Sequence, residues 1–131
     1  MKNIDNAALL TFSAAVIHGR RLGHTLGFPT VNQIPPACAA ELPCGVYFSR
    51  CNIDGIIFPA VSNLGVKPTV DDSGSLLCET HIFMHDRDLY GRTVTTSLLC
   101  FSRGERNFAS EAELASQLSS DIANAKEYFG L

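Results

Sequence analysis

The sequence predicts a mainly β domain, a small antiparallel barrel with one C-terminal helix packed on it. Three observations carry this. Short apolar runs alternate with turn signals through most of the chain. The hydrophobic period then changes once, near Ser110, from that of strands to that of a helix. Finally, five or six strands followed by one helix leave a sheet whose edges must be closed or covered, and a barrel does this economically.

The elements follow in order. Thr11 to His18 reads as the first strand, leading into a glycine-rich loop. Gln33 to Pro43, with Pro35, Pro36 and Pro43, reads as a loop within the domain. Gly45 to Cys51 is β-rich in composition, Asn52-Ile53-Asp54-Gly55 supplies an Asp-Gly turn signal, and Ile56 to Ser62 is the returning strand. Leu77 to Met84 and Thr93 to Phe101 are two further strands, separated by the polar turn His85-Asp86-Arg87-Asp88. Leu98 to Phe101 is continuously apolar, as a segment buried on both faces would be. Ser110-Glu111-Ala112-Glu113 is a capping box, with the serine capping and Glu113 reaching back. Leu114, Leu118, Ile122, Ala125 and Phe129 then form one apolar stripe, and Gly130 stops the helix.

Composition narrows the function. A chain of 131 residues is one domain, residues 1–131, with room for a real core. A net charge of −3 leaves no basic footprint for nucleic acid. No apolar run approaches the roughly 20 residues of a membrane span, and the N-terminus lacks a signal-peptide core. The expected location is therefore the cytoplasm. Cys38, Cys44, Cys51, Cys78 and Cys100 are odd in number and widely spaced, which favours free thiols over zinc or disulfides.

The chemistry concentrates in Gly19-Arg20-Arg21-Leu22-Gly23-His24-Thr25-Leu26-Gly27-Phe28-Pro29-Thr30-Val31-Asn32. Glycines let backbone N–H groups approach anionic oxygens, and the arginines balance charge. Thr30 and Asn32 are hard oxygen ligands of the kind Mg²⁺ accepts beside phosphates. The segment is neither a Walker A loop nor a dinucleotide fingerprint. A plain glycine-rich turn closed by proline would account for it equally well. Three further clusters matter. Ser62 to Thr69 reads as a turn ending the third strand. Glu79-Thr80-His81-Ile82 sets an acid in an apolar strand, with Glu79 and His81 on one face and Thr80 and Ile82 on the other. Arg103-Gly104-Glu105-Arg106-Asn107-Phe108 is a charged loop before the capped helix.

In this order and spacing the segments resemble riboflavin kinase. The matching residues are Gly27-x-Pro29-Thr30-x-Asn32, Asn63-x-Gly65-x-x-Pro68-Thr69, Glu79-x-His81, Asp88-x-Tyr90-Gly91 and Arg103-x-Glu105-x-x-Phe108, and the likeness runs from about Val16 to Phe129. The resemblance implies a six-stranded antiparallel Greek-key barrel with the C-terminal helix packed against it. It also implies transfer of the γ-phosphoryl group of ATP to the 5′-hydroxyl of riboflavin, giving FMN and ADP.

By the same resemblance, Glu79 is the general base, and Thr30 and Asn32 hold Mg²⁺ (or another divalent cation) and phosphate. Gly19 and His24 touch the nucleotide, and Ile82, Met84 and Tyr90 line its adenine. Arg103, Arg106 and Phe108 face the flavin, with cation–π contacts suited to its broad ring. The glycine-rich loop and the 103–108 loop are candidate lids. His24 departs from the family's usual Arg or Lys, and Val31 from its usual alanine. Nothing before Phe12 could encode an adenylyltransferase, so FMN synthesis without FAD synthesis is expected, by a monomer whose partners are ATP and riboflavin. Two other readings stand beside this one: a non-catalytic flavin- or nucleotide-binding barrel, and a phosphotransferase acting on another alcohol.

Overall fold

The computed structural model describes residues 8–18, 27–66, 75–85 and 87–131. Six strands lie in one antiparallel sheet: β1 (Leu10–Ala15), β2 (Val31–Gln33), β3 (Gly45–Ile53), β4 (Ile56–Val66), β5 (Leu76–Ile82) and β6 (Thr93–Gly104). Their spatial order is β1-β6-β3-β4-β5-β2; among the described residues a short 3-10 turn (Ala37–Glu41) precedes β3 and one α-helix, α1 (Glu111–Phe129), follows β6. Within that order β6-β3-β4-β5 is the Greek-key arrangement, three hairpin-linked strands with the fourth returning beside the first.

The β3–β4 hairpin turns where the sequence indicates. Asp54 and Gly55 both take positive φ, 55° and 84°, as a two-residue type I′ turn requires, and Asn52 Oδ1 accepts the Gly55 N–H at 2.9 Å. Strand β4 continues past Ser62 to Val66, paired with β5 as far as Val66 opposite Leu76. The turn expected at Ser62 is therefore strand, because its cross-strand partners continue, and Lys67 to Thr69 lie outside the described residues. Strand β6 slips register twice against β3, leaving Leu99 and Ser102 as extra residues. Such bulges bend a strand and tighten its twist, which helps the sheet curl. Leu98 and Leu99 are both buried, as the apolar run suggests, whereas Phe101 is 40% exposed and meets Tyr47 edge-on.

The sheet is curled rather than laced all the way round. Its edge strands β1 and β2 meet through one backbone bridge, Ile17 N–H donating to the Asn32 carbonyl at 2.8 Å. The side chain of the fully buried Gln33 supplies the rest of the seam. Its Nε2 donates to the carbonyls of Ala14 and Val94 at 2.9 and 2.8 Å, and its Oε1 accepts from Thr96 Oγ1 at 2.6 Å. With Pro29 and Pro35 close to its ends, β2 has little backbone N–H to extend a ladder, so an amide side chain completes the closure.

The two faces of the sheet have separate tasks. The concave face carries Tyr47, Cys51, Leu64, Cys78, Ile82, Val94 and Leu98 into the core. The buried hydroxyls among them are paired, Ser62 with both Ser49 (2.8 Å) and Thr80 (2.6 Å). The convex face carries Val46, Val61 and Phe83 against Ala125 of α1, with Phe48, Ile122 and Phe129 around them. Full burial of a Val or Phe side chain contributes about 1.5–3 kcal/mol, so this patch suffices to dock the helix. Ser110 Oγ accepts the Glu113 N–H at 3.1 Å, and Gly130, at φ 74°, closes a Schellman motif with Leu131. The Glu113 carboxylate lies 3.9 Å from the Arg106 guanidinium. No described helix is long and apolar enough to cross a membrane.

Burial pushes the Cys51 thiol up to about 12 and the Cys78 thiol up to about 11. Both stay protonated and shielded, while Cys38 is exposed and Cys44 and Cys100 are half-buried. Alkylation of the folded protein at pH 8 is therefore expected to modify at most three of the five thiols, read by intact mass. Because the folded values lie above the ordinary 9.0, the stability from keeping these thiols neutral is whole below pH 9. It is lost as pH rises through about 11 and 12, so denaturant midpoints should fall there.

Candidate active site

A row of cross-strand neighbours organises the convex face. Asn32 of β2 opposes Glu79 of β5, Glu79 opposes Asn63 of β4, Asn63 opposes Val46 of β3, and Val46 opposes Arg103 of β6. Directly opposed residues project to the same side, so four polar side chains from four strands stand in one line. The alternation around Glu79 is as the sequence predicts: Thr80 and Ile82 are buried on the concave side, and Glu79 and His81 are half-buried on the other.

Two clefts flank this row. One, of 310 Å³, lies at the seam where β1 meets β2 and includes Ile17, Asn32, Thr80, Ile82, Leu89 and Tyr90. The other, of 240 Å³, lies between the sheet and α1. Asn63, Glu79, His81 and Arg103 line its sheet side, and Leu114, Leu118 and Ile122 its helix side. Thr30 lines both clefts and is the wall at which they meet.

Beside that wall, hydrogen bonding is incomplete. Thr30 Oγ1, Asn32 Oδ1 and Asn63 Oδ1 are buried side-chain oxygens without a hydrogen-bond partner among the described residues, and Asn32 as a whole is only 3% exposed. An unsatisfied buried acceptor costs about 1–3 kcal/mol, which a bound cation or ligand donor would offset. Thr30 and Asn32 are neutral oxygen donors of the kind Mg²⁺ takes alongside phosphate and water, so the residues present fit such an ion.

The sequence-predicted site residues fall into place unevenly. Ile82 and Tyr90 share the seam cleft, and Tyr90 stacks on His18 with ring centroids 3.7 Å apart. Met84 does not join them. It is 77% exposed, at φ 61°, beyond the end of β5, and lines a separate depression with His85 and Lys126. Gly19 and His24 lie outside the described residues. Arg106 sits over the Phe108 ring at 5.2 Å, bonded also to Gln117 Oε1, and both residues line the helix-side cleft. Arg103 lines it too, but its guanidinium grips Asp121 of α1 in a two-pronged pair, Nε–Oδ1 at 2.8 Å and Nη2–Oδ2 at 2.7 Å. Its charge is thus committed to holding the helix on the sheet.

Several residues carry more than the sequence indicates. Asn63 belongs to a quoted motif, but its place beside Glu79 depends on the β4–β5 register. Asp121 had a signal, an acid on the flank of an apolar helix stripe, three residues after Leu118 and four before Ala125. Glu105 packs on Gly65 so closely that a Cβ there would stand 2.3 Å from Glu105 Oε1 and 3.4 Å from Asn63 Oδ1. Gly65→Ala is therefore expected to push the Glu105 carboxylate out of the helix-side cleft. Ligand affinity there should fall about tenfold by fluorescence titration while the unfolding midpoint changes little.

Fold and site together define a curled antiparallel half-barrel protein with two clefts that share Thr30 as a wall, Glu79 lining one of them. Residues 8–129 match the flavokinase family model, described as riboflavin kinase. The chain belongs to the riboflavin kinase family. It is 38% identical over 136 aligned positions to the bifunctional riboflavin kinase/FMN adenylyltransferase of Escherichia coli, covering 97% of this chain and 43% of that one. It thus spans less than half the length of that relative. Among solved structures, a Streptococcus pneumoniae protein described as a macrolide-efflux protein superposes with a TM-score of 0.75 at 29% identity, over 89% of this chain and 38% of the other. Riboflavin kinase from Trypanosoma brucei superposes with a TM-score of 0.65 at 19% identity, over 92% and 79%, and shares the fold.

Proposed function

We propose that this chain transfers the γ-phosphoryl group of ATP to the 5′-hydroxyl of riboflavin, yielding FMN and ADP, and that residues 1–131 form one kinase domain that acts as a monomer. The observation that carries the reading is the meeting of two clefts at Thr30, with Glu79 one strand away from Asn32. ATP occupies the seam cleft, its base towards Ile82 and Tyr90. Riboflavin occupies the helix-side cleft, its ring against Phe108 and the Leu114–Leu118 face of α1.

Glu79 takes the hydroxyl proton as the new P–O bond forms, since a neutral primary alcohol is a poor nucleophile. Thr30 and Asn32 would hold the divalent cation, which when bound would offset the negative charge of the phosphate oxygens. Phe28 and the α1 stripe exclude water from the helix-side cleft, so that the acceptor is the alcohol and not solvent.

The test is chromatographic. Purified protein is mixed with riboflavin and ATP, with and without Mg²⁺, and FMN is quantified. Metal-dependent FMN is the expected result. Flavin bound without turnover would overturn the kinase reading and leave a carrier or sensor, and turnover of another alcohol in preference to riboflavin would reassign the acceptor.

A further inference from the structure

Strand β2 is three residues long, and its ladder with β5 ends at Val31 opposite Thr80. One step further along, Thr30 would face His81, but no backbone pairing continues there, and the preceding residue is proline, which has no N–H to give. The threonine that separates the two clefts is thus just beyond the end of the sheet. What holds it there is a side chain. His81 Nδ1 lies 2.8 Å from the Pro29 carbonyl oxygen. A carbonyl only accepts, so Nδ1 carries the proton. The imidazole is braced edge-on by Phe83, with centroids 5.5 Å apart, and by Phe28 at 6.5 Å. The far side of the segment is secured by Ile17 N–H on the Asn32 carbonyl.

We propose that His81 is a positioning residue: its Nδ1–H bond to the Pro29 carbonyl takes over where the β2–β5 ladder stops and fixes Thr30 against Glu79. The proposal rests on the kinase reading for the meaning of Thr30, though the hydrogen bond can be tested without it. It accounts for a ring that no role in phosphoryl transfer requires, two residues from the carboxylate and on the same face. The bond also makes the β5 strand the common mount for both halves of the site, since Glu79 and His81 are borne by it and Asn32 pairs with it. Misplacement of a reacting group by about 1 Å can cost on the order of 100-fold in rate, and the outer partners of metal ligands typically matter 10- to 100-fold.

Two variants separate hydrogen bonding from packing. His81→Phe keeps an aromatic between Phe28 and Phe83 but removes the donor, whereas His81→Asn keeps a short N–H donor and loses the aromatic brace. The probe is the rise in thermal midpoint that ADP with Mg²⁺ confers over ADP alone, together with kcat and KM for FMN formation. The expected ranking in both is wild type, then Asn, then Phe, with kcat down about 10- to 100-fold in the Phe variant and partly restored in the Asn variant. The reverse ranking, or equal values for all three, would overturn the proposal and leave His81 as packing alone. Should the Phe variant fail to fold, nitrogen-15 spectra of the wild-type imidazole at pH 8 decide. The neutral tautomer protonated at Nδ1 is expected, and protonation at Nε2 would rule the bond out. Absence of FMN from the wild type, with the tautomer as expected, would sink the kinase reading while leaving the clamp intact.

Discussion

Replacing Glu79 with glutamine is expected to lower kcat by about 10²–10⁴-fold while changing riboflavin and ATP affinities by less than about threefold. Glutamine is nearly isosteric, so the row from Asn32 to Asn63 stays in register and the cleft keeps its shape. What is lost is the ability to accept a proton. Steady-state kinetics and flavin fluorescence titration make the comparison. Turnover near the wild-type rate with normal binding would remove Glu79 from the chemistry and leave it as a half-buried polar residue of β5.

Asp121→Ala should have the largest effect on stability. Its carboxylate side chain is 4% exposed and that of Arg103 is 20% exposed, and Gln117 Nε2 adds a third bond at 3.0 Å. Breaking a buried pair from one side strands the other charge and costs about 3–5 kcal/mol. For a domain of this size we expect the unfolding midpoint to drop by about 10 °C or more. The double variant Asp121→Ala, Arg103→Met should recover much of this loss, because no uncompensated charge remains. Flavin affinity should fall in the single variant as well, since the same helix turns line the cleft. A single variant as stable as wild type would mean that the pair is solvated, not structural.

Local signals account for much of what could be read before the structure. Asp54-Gly55 and Ser110 need only their immediate neighbours to define a turn and a cap, and both sit where the sequence puts them. The alternation of Glu79 and Thr80 follows from strand geometry alone. What escaped depends on distance along the chain. β2 is too short to show periodicity and hides among turn-forming residues, and the seam made by Gln33 joins carbonyls 19 and 61 residues away. The stripe on α1 was legible, but not its division, with Ala125 and Phe129 packing on the sheet, Leu114 and Leu118 left facing a cleft, and Ile122 at the boundary touching both. Arg103 was legible as a cation of the charged 103–108 segment, which the structure begins at the end of β6, and only the packing of α1 revealed Asp121 as its partner. Met84 failed to join Tyr90 because the chain turns through positive φ there, which composition does not disclose.

Gln33 and Asn32 are consecutive, and between them they tie two problems together. One stitches the edges of the sheet, and the other offers its oxygen at the junction of the clefts. A mutation that loosens the seam therefore moves that buried oxygen with it. Tolerance to change at these two positions must be judged jointly, because a lineage has little freedom to trade durability for activity in a strand only three residues long.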